Sequence, residues 1–79
     1  MLTPIIKLRS GESGIIREIT GGPGMVHRLE MLGIRPGKLL KKMSAVFMGG
    51  PVTVMVDRRE VAMGRGIASR VMVEPKPAR

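Results

Sequence analysis

The stretch His27–Gly37, "HRLEMLGIRPG", decides how this chain is organised. It predicts the last turns of a helix of about residues 24–32, followed by a stop at Gly33. Glycine suits that position because a residue just after a helix often needs a positive φ, at which a side chain is strained. We expect Ile34 to fold back on the last helical turn, and Pro36-Gly37 to turn the chain into the next strand.

The faces of this helix single out one residue that does not fit a simple core. On a helical wheel, Met25, Leu29 and Leu32 share one face, which we expect to be buried. Met31 falls on the polar side, near His27. An apolar residue there is either an isolated exposed side chain or part of a surface that contacts another molecule.

Both flanks of the helix have the composition of strands. The segment "GIIREI" is β-branched, but Ile15 and Ile16 point opposite ways, so either one of them is exposed or a bulge near Gly14 turns the pair. After the helix, strands are predicted for "KLLKKMSAV", "VTVMVD", "VAM" and "RVMVE". Tight turns are predicted for "FMGGP" and "DRRE", and a single helical turn for "GRGIAS".

Short strands separated by tight turns in so small a chain predict a mainly β fold. We expect a closed five-stranded barrel, because closure removes most exposed sheet edges, with the helix lying across one opening. Residues 1–74 would form this single domain, and residues 75–79, "PKPAR", a basic and flexible tail.

Composition narrows the cellular setting and the classes of partner. The 79 residues include no cysteine, which excludes disulfides and thiolate metal sites. No apolar run reaches the ~18 residues of a spanning helix, so we expect a soluble cytoplasmic protein without membrane insertion. The net charge is +8, but the basic residues are spread along the chain, and only Lys41-Lys42 and Arg58-Arg59 are adjacent. We interpret them as a solvated surface. With Phe47 as the single aromatic residue, stacking cannot support nucleic-acid binding.

Three segments together resemble the FeoA family: "RSGESGIIREITGG", "RLEMLGIRPG" and "GGPVTVMVDRREVAMGRGIASRVMV". The resemblance implies a small SH3-like barrel with an inserted helix. It also implies a non-enzymatic accessory or regulatory role in ferrous iron uptake, beside the membrane Fe²⁺ transporter FeoB and its cytosolic GTPase domain. The residues that carry it form a structural motif: Leu29, Gly33, Pro36, Gly37, Gly50, Pro51, Ala62, Gly64 and Ala68.

The same resemblance leaves a second function open. The fold is similar to the C-terminal domain of iron-dependent repressors, which implies, as an alternative, a metal-responsive regulatory domain that binds a divalent transition metal or another protein. The motif itself specifies a scaffold, since Ala62, Gly64 and Ala68 suit places where backbones approach closely.

Nothing in the sequence indicates catalysis. The chain has one histidine, no cysteine and no GxxxxGK[ST] loop, and its serines lack a local base partner. We therefore expect the protein not to be an enzyme.

One pair of residues could contact a metal ion. His27 and Glu30 lie three residues apart on the helix and could share a divalent ion with a neighbouring group. Two ligands are too few for a closed site, so we expect no required cofactor. Weak binding of Fe²⁺, Zn²⁺ or Mn²⁺ stays open.

The methionines are divided between core and surface. We expect Met25, Met43 and Met63 in the core, and Met48 at a turn tip. Met31, Met55 and Met72 are predicted on the outer sides of their elements and could merge into one patch. Rimmed by Arg28, Arg58 and Arg70, such a patch would suit an acidic or apolar protein partner or a homo-oligomer. The predicted partner-binding residues are His27, Arg28, Met31, Met55 and Met72.

Overall fold

The computed structural model describes residues 1–45 and 50–76. Its elements are β1 (Thr3–Pro4), a 3-10 turn (Ile5–Lys7), β2 (Ser13–Ile19), α1 (Pro23–Met31), β3 (Leu39–Ala45), β4 (Val52–Val56), β5 (Arg59–Met63), α2 (Arg65–Ala68) and β6 (Val71–Pro75). The strands form one antiparallel sheet in the order β1-β6-β2-β3-β4-β5. The prediction of a mainly β fold with one main helix is confirmed.

The prediction of a closed five-stranded barrel was wrong in two respects. The sheet has six strands, and within residues 1–45 and 50–76 no pairing joins β5 to β1, so the sheet is not closed. The first strand is only Thr3–Pro4, because the chain then tightens into the 3-10 turn. Pro4 also lacks the N–H that a longer ladder would need.

The paired isoleucines of β2 stay in regular register with β6 and point to opposite faces of the sheet. Of the two alternatives that the sequence left open, a bulge near Gly14 does not form, because the register against β6 shifts only between Ile16 and Glu18, at Arg17. Ile16 is fully buried and Ile15 is half-buried on the other face. Gly14 is instead the point of closest approach to β6, since a Cβ there would lie 3.0 Å from Val73 Cγ2.

The predicted strands after the helix all form, and their hairpins follow the sequence. In β4, valines alternate inward with half-buried residues that face outward. Asp57 and Arg58 connect β4 to β5 with φ of 52° and 64°. Two central residues at positive φ make a type I′ turn, the connection favoured in two-residue hairpins. In the predicted turn "FMGGP", residues 47–49, including Met48, lie outside the described residues, and Gly50 and Pro51 lie within them.

The core lies on the inner face of the sheet, closed by the 3-10 turn and the two helices. Its buried apolar members are Ile5, Leu8, Ile16, Leu29, Ile34, Leu40, Val52, Val54, Val56, Val61, Met63, Ala68, Val71 and Val73. Met63 belongs to it and Met25 packs against it, as predicted. Met43 does not, because a register shift between Lys42 and Ser44 places it at a bulge with 37% of its surface exposed.

Lys42 takes the inward position on β3 and is only 2% exposed, although the sequence placed it on a solvated surface. Its Nζ donates hydrogen bonds to the carbonyl oxygens of Ile6, at 3.0 Å, and Leu8, at 2.6 Å. Burial lowers the pKa of the Lys42 ammonium from 10.5, and the nearby Glu12 carboxylate opposes this in part. The buried amine therefore ties the N-terminal segment to β3.

The chain ends of the described region are held by the sheet. β6 continues to Pro75, and the N–H of Lys76 donates to the carbonyl oxygen of Ser13 at 2.9 Å. The strand thus runs one residue into the predicted tail, whose last residues, 77–79, are outside the described part. Among the residues described, no helix has the length and apolar character needed to span a membrane.

Candidate partner-binding site

The end of α1 is built by local hydrogen bonds that leave Met31 exposed. Gly33 has a φ of +91°. Its N–H donates to the carbonyl of Glu30 at 3.0 Å, and the N–H of Ile34 donates to that of Leu29 at 2.9 Å. This pair of bonds is a Schellman motif, and the buried Ile34 packs behind it as predicted. Met31, on the other side, keeps 69% of its surface exposed.

The exposure of Leu32 differs from the prediction. It was placed on the buried face of the helix with Leu29, but it is 37% exposed. The reason is that Leu32 is the C-cap residue, with φ of −89° and ψ of 2°, so the helical wheel no longer describes its direction. The helix therefore ends with two adjacent exposed apolar side chains.

Arg35 follows in a turn that fixes its position relative to the helix. The N–H of Lys38 donates to the carbonyl oxygen of Arg35 at 3.2 Å, and Gly37 has a φ of +94°. Proline and glycine at the two central positions make this a type II turn, as the Pro36-Gly37 pair predicts. Arg35 Nη2 also donates to the carbonyl oxygen of Glu30 at 3.3 Å.

The β4–β5 hairpin approaches the same end of the helix. Lys38 Nζ lies 2.9 Å from Asp57 Oδ2, so an ion pair joins the strand after the helix to the hairpin turn. Arg59 begins β5 immediately after this turn. The hairpin thus brings a second arginine beside residues that are more than twenty positions earlier in the sequence.

A pocket of about 200 Å³ lies between the end of α1 and the hairpin. Its apolar lining comes from the helix end and the last residue of β4, and its charged lining from the two turns. The lining residues are Met31, Leu32, Gly33, Arg35, Val56, Asp57 and Arg59. Polar atoms make up most of its exposed lining, so the pocket is a charged depression with an apolar edge.

The predicted partner-binding residues are distributed over more than this pocket. Met31 lines it, while His27 and Arg28 are exposed on α1 but are absent from its lining. Met55 and Met72 are half-buried on β4 and β6, with β2 and β3 between those strands. Three strand spacings amount to roughly 14 Å, so the two methionines do not touch within one patch. Their roles in binding stay predictions.

The remaining motif residues have structural positions. Gly50 and Pro51 precede β4, and Ala68 is fully buried in α2 as expected. Ala62 is instead exposed, because it lies on the outer face of β5 between the buried Val61 and Met63. Gly64 is the N-cap residue of α2, and a Cβ there would meet nothing within 4 Å, so no close backbone approach requires this glycine.

The metal ligands predicted from sequence are both on α1, where His27 is exposed and Glu30 half-buried. Across residues 1–45 and 50–76, no group of three or more His, Asp or Glu side chains is placed to hold an ion. A His27–Glu30 site stays a prediction.

Most of the pocket was missed from sequence: Leu32, Arg35, Asp57 and Arg59 were not named as binding residues. One signal was available. The "DRR" turn and the "RPG" turn each place a charged residue beside a fixed backbone bend, and turns of this kind often carry binding residues. Their proximity, however, depends on how the strands pair.

Known proteins share this fold and are similar to this chain in sequence. A protein of Methanocaldococcus jannaschii named as an Fe(2+) transport protein A is 35% identical over 71 residues, which cover 90% of this chain and 84% of that protein. A solved FeoA structure, described as an iron uptake regulatory protein, is 32% identical with a TM-score of 0.88, covering 96% of this chain and all of the other.

A further solved structure shares the fold as part of a longer chain. The T. acidophilum IdeR structure is 28% identical with a TM-score of 0.83, and the match covers 95% of this chain but 34% of IdeR. The FeoA domain family model matches residues 3–75, nearly the whole chain. On this evidence, the chain belongs to the FeoA domain family.

Proposed function

We propose that this protein is a non-enzymatic accessory protein of ferrous iron uptake, which docks on the cytosolic part of a FeoB-type Fe²⁺ transporter. Membership of the FeoA domain family supports the process. The observation that carries the docking is Met31, which remains 69% exposed at a rigid helix end beside two arginines. Solvent-exposed apolar surface next to fixed charged groups suits a protein contact.

The geometry favours binding over catalysis. The pocket contains arginines, one ion-paired aspartate and apolar side chains. Such a lining offers neither a nucleophile with a base nor a pair of carboxylates for acid–base chemistry. It can hold a segment of another molecule in place, which is the task of an adapter.

Isothermal titration calorimetry against the cytosolic GTPase domain of the same organism's transporter tests the proposal, with and without a non-hydrolysable GTP analogue. Burying a Met side chain contributes about 1.5–3 kcal/mol, so Met31→Glu should weaken binding by about tenfold or more. Met31 is largely exposed, and the variant should keep the wild-type circular dichroism spectrum.

Met43→Glu is the matched control, since Met43 is also exposed but lies at the bulge of β3 and does not line the pocket. Its affinity should stay within about twofold of the wild type, as expected for a surface change away from the interface. Equal weakening by both variants would remove the helix end from the interface. No binding in any nucleotide state would contradict docking on this domain.

A further inference from the structure

The charges of the pocket do not cancel. Asp57 lines it, but Lys38 already pairs with that carboxylate at 2.9 Å. Arg35 donates to a backbone carbonyl, which carries no net charge. In the described part of the chain, the ion pairs are Arg17–Glu74 and Lys38–Asp57, so neither Arg35 nor Arg59 is neutralised. The two arginines therefore give a mostly polar pocket an excess of positive charge beside the exposed side chains of Met31 and Leu32.

We infer that the pocket formed by Met31, Leu32, Val56, Arg35 and Arg59 recognises an acidic segment of a partner protein, in which a carboxylate flanks an apolar side chain. The apolar side chain contacts Met31 and Leu32, which are both exposed, while the buried Val56 lies behind them. The carboxylate pairs with the arginines, whose planar groups suit carboxylate oxygens. This inference names the partner chemistry of the proposed docking and rests on that function.

The chain itself is a poor source of such a segment. Its C-terminal residues, "PKPAR", have the same sign of charge as the pocket. Of its six acidic residues, three already have partners: Glu12 accepts a bond from the N–H of Arg9, while Glu74 and Asp57 are ion-paired. With a net charge of +8, two copies also repel each other. Charge complementarity thus favours a different, acidic partner over a second copy.

The pocket is held in place before any partner arrives. The Schellman motif fixes the helix end and the type I′ turn fixes the hairpin, while a half-exposed ion pair joins Lys38, just before β3, to Asp57 in the hairpin turn. A preorganised site loses little conformational entropy on binding, so even a short segment can bind measurably.

The first test uses a doubly blocked pentapeptide of alternating aspartate and leucine, titrated into the ¹⁵N-labelled protein and followed by NMR. We expect shifts concentrated at the amides of Gly33, Asp57 and Arg59, with a dissociation constant of about 1 mM, as small exposed contacts allow. The same peptide with asparagine in place of aspartate should bind about tenfold more weakly, and added salt should reduce the difference.

A charge-matched pair of variants locates the contact. Arg59→Gln should weaken the aspartate peptide by about threefold, the size of one exposed ion pair. Arg65→Gln should leave the affinity unchanged, because Arg65 is also exposed but follows the far end of β5, about 14 Å along the strand. Equal effects of the two variants would overturn the inference.

Other results also overturn it. These are no shift at 5 mM peptide, equal binding of the asparagine peptide, or shifts confined to another face. If the same amides shift as the concentration of the protein alone is raised, the pocket binds a second copy of this chain, and the inference of an acidic partner is overturned.

Titrations with the GTPase domain distinguish a failure of this inference from a failure of the proposed function. If the peptide binds the pocket but the domain does not bind, the acidic-segment inference stands and docking on the transporter fails. If the domain binds equally to wild type and Arg59→Gln, the docking stands and the acidic-segment inference is overturned.

Discussion

Replacing the buried Lys42 with methionine tests how the N-terminal segment is attached. The change keeps an unbranched side chain of similar length on β3 but removes the ammonium. The wild-type Nζ donates to the carbonyl oxygens of Ile6 and Leu8, at 3.0 and 2.6 Å. In Lys42→Met both carbonyls lose this donor, and the bond to Leu8 is the more buried of the two.

The expected loss follows from those two bonds. A hydrogen bond to a charged group contributes about 1.5–3 kcal/mol, and a buried carbonyl without a donor costs about 1–3 kcal/mol. Water can reach the partly buried carbonyl of Ile6, and the variant no longer desolvates an ammonium group. We therefore expect the free energy of unfolding to fall by about 2–3 kcal/mol, a large share of the 5–15 kcal/mol typical of a domain.

Urea unfolding followed by far-ultraviolet circular dichroism measures this loss, since the chain has no tryptophan or tyrosine for fluorescence. With a slope of about 1 kcal/mol per molar urea, the midpoint should fall by roughly 2 M. Lys41→Met is the control, because Lys41 is adjacent but exposed, and it should change stability by less than about 0.5 kcal/mol. A Lys42→Met variant as stable as Lys41→Met would refute the attachment.

The pH dependence gives an independent check on the same residue. Burial lowers the pKa of Lys42 below its ordinary value of 10.5, so the unfolded chain binds this proton more tightly than the folded chain. Stability therefore rises with pH between the lowered pKa and 10.5. The stability gap between wild type and Lys42→Met should widen over this window, and a narrowing gap would contradict the burial of a titrating amine.

Three further changes test the local structure by thermal unfolding. Gly33→Ala should lower the melting temperature by about 4–8 °C, the effect of about 1 kcal/mol of strain at positive φ. The added Cβ would meet nothing closer than 3.8 Å, so a steric clash does not contribute. An unchanged melting temperature would contradict the left-handed conformation of Gly33. Gly24→Ala should raise stability by about 0.5–1 kcal/mol, since Gly24 lies within α1 with open space around it; a loss would contradict that helical position. Glu74→Gln should alter stability by less than about 1 kcal/mol, because its ion pair with Arg17 is about half exposed at 49% and 51%; a larger loss would show a stronger bond than the geometry supports.

The local features of this fold were predictable because they depend on a few neighbouring residues. The stop at Gly33 and the Pro36-Gly37 turn follow from the φ angles that glycine and proline accept. The inward valines of β4 follow from simple alternation. The FeoA motif could be recognised for the same reason, since its glycines and prolines lie at local bends.

The open sheet and the role of Lys42 depended on tertiary structure. Whether β1 pairs with β5 depends on how distant segments of the chain pack, and the composition of the first strand does not reveal this. A bulge after Lys42 reverses the expected positions of Lys42 and Met43. A single register shift exchanges the buried and exposed faces of a strand, so alternation alone cannot decide which of two neighbours is buried.

The candidate site likewise has features that the sequence predicts and features that only the tertiary structure shows. The sequence by itself determined that Met31 lies on the polar side of its helix, because the helical period sets that direction. Only the tertiary structure decided that Arg59 lies beside it, since strand pairing and the Lys38–Asp57 ion pair join segments that are far apart along the chain. Turns and periods are short-range properties of the backbone, whereas a pocket is made by long-range packing, which no local pattern encodes.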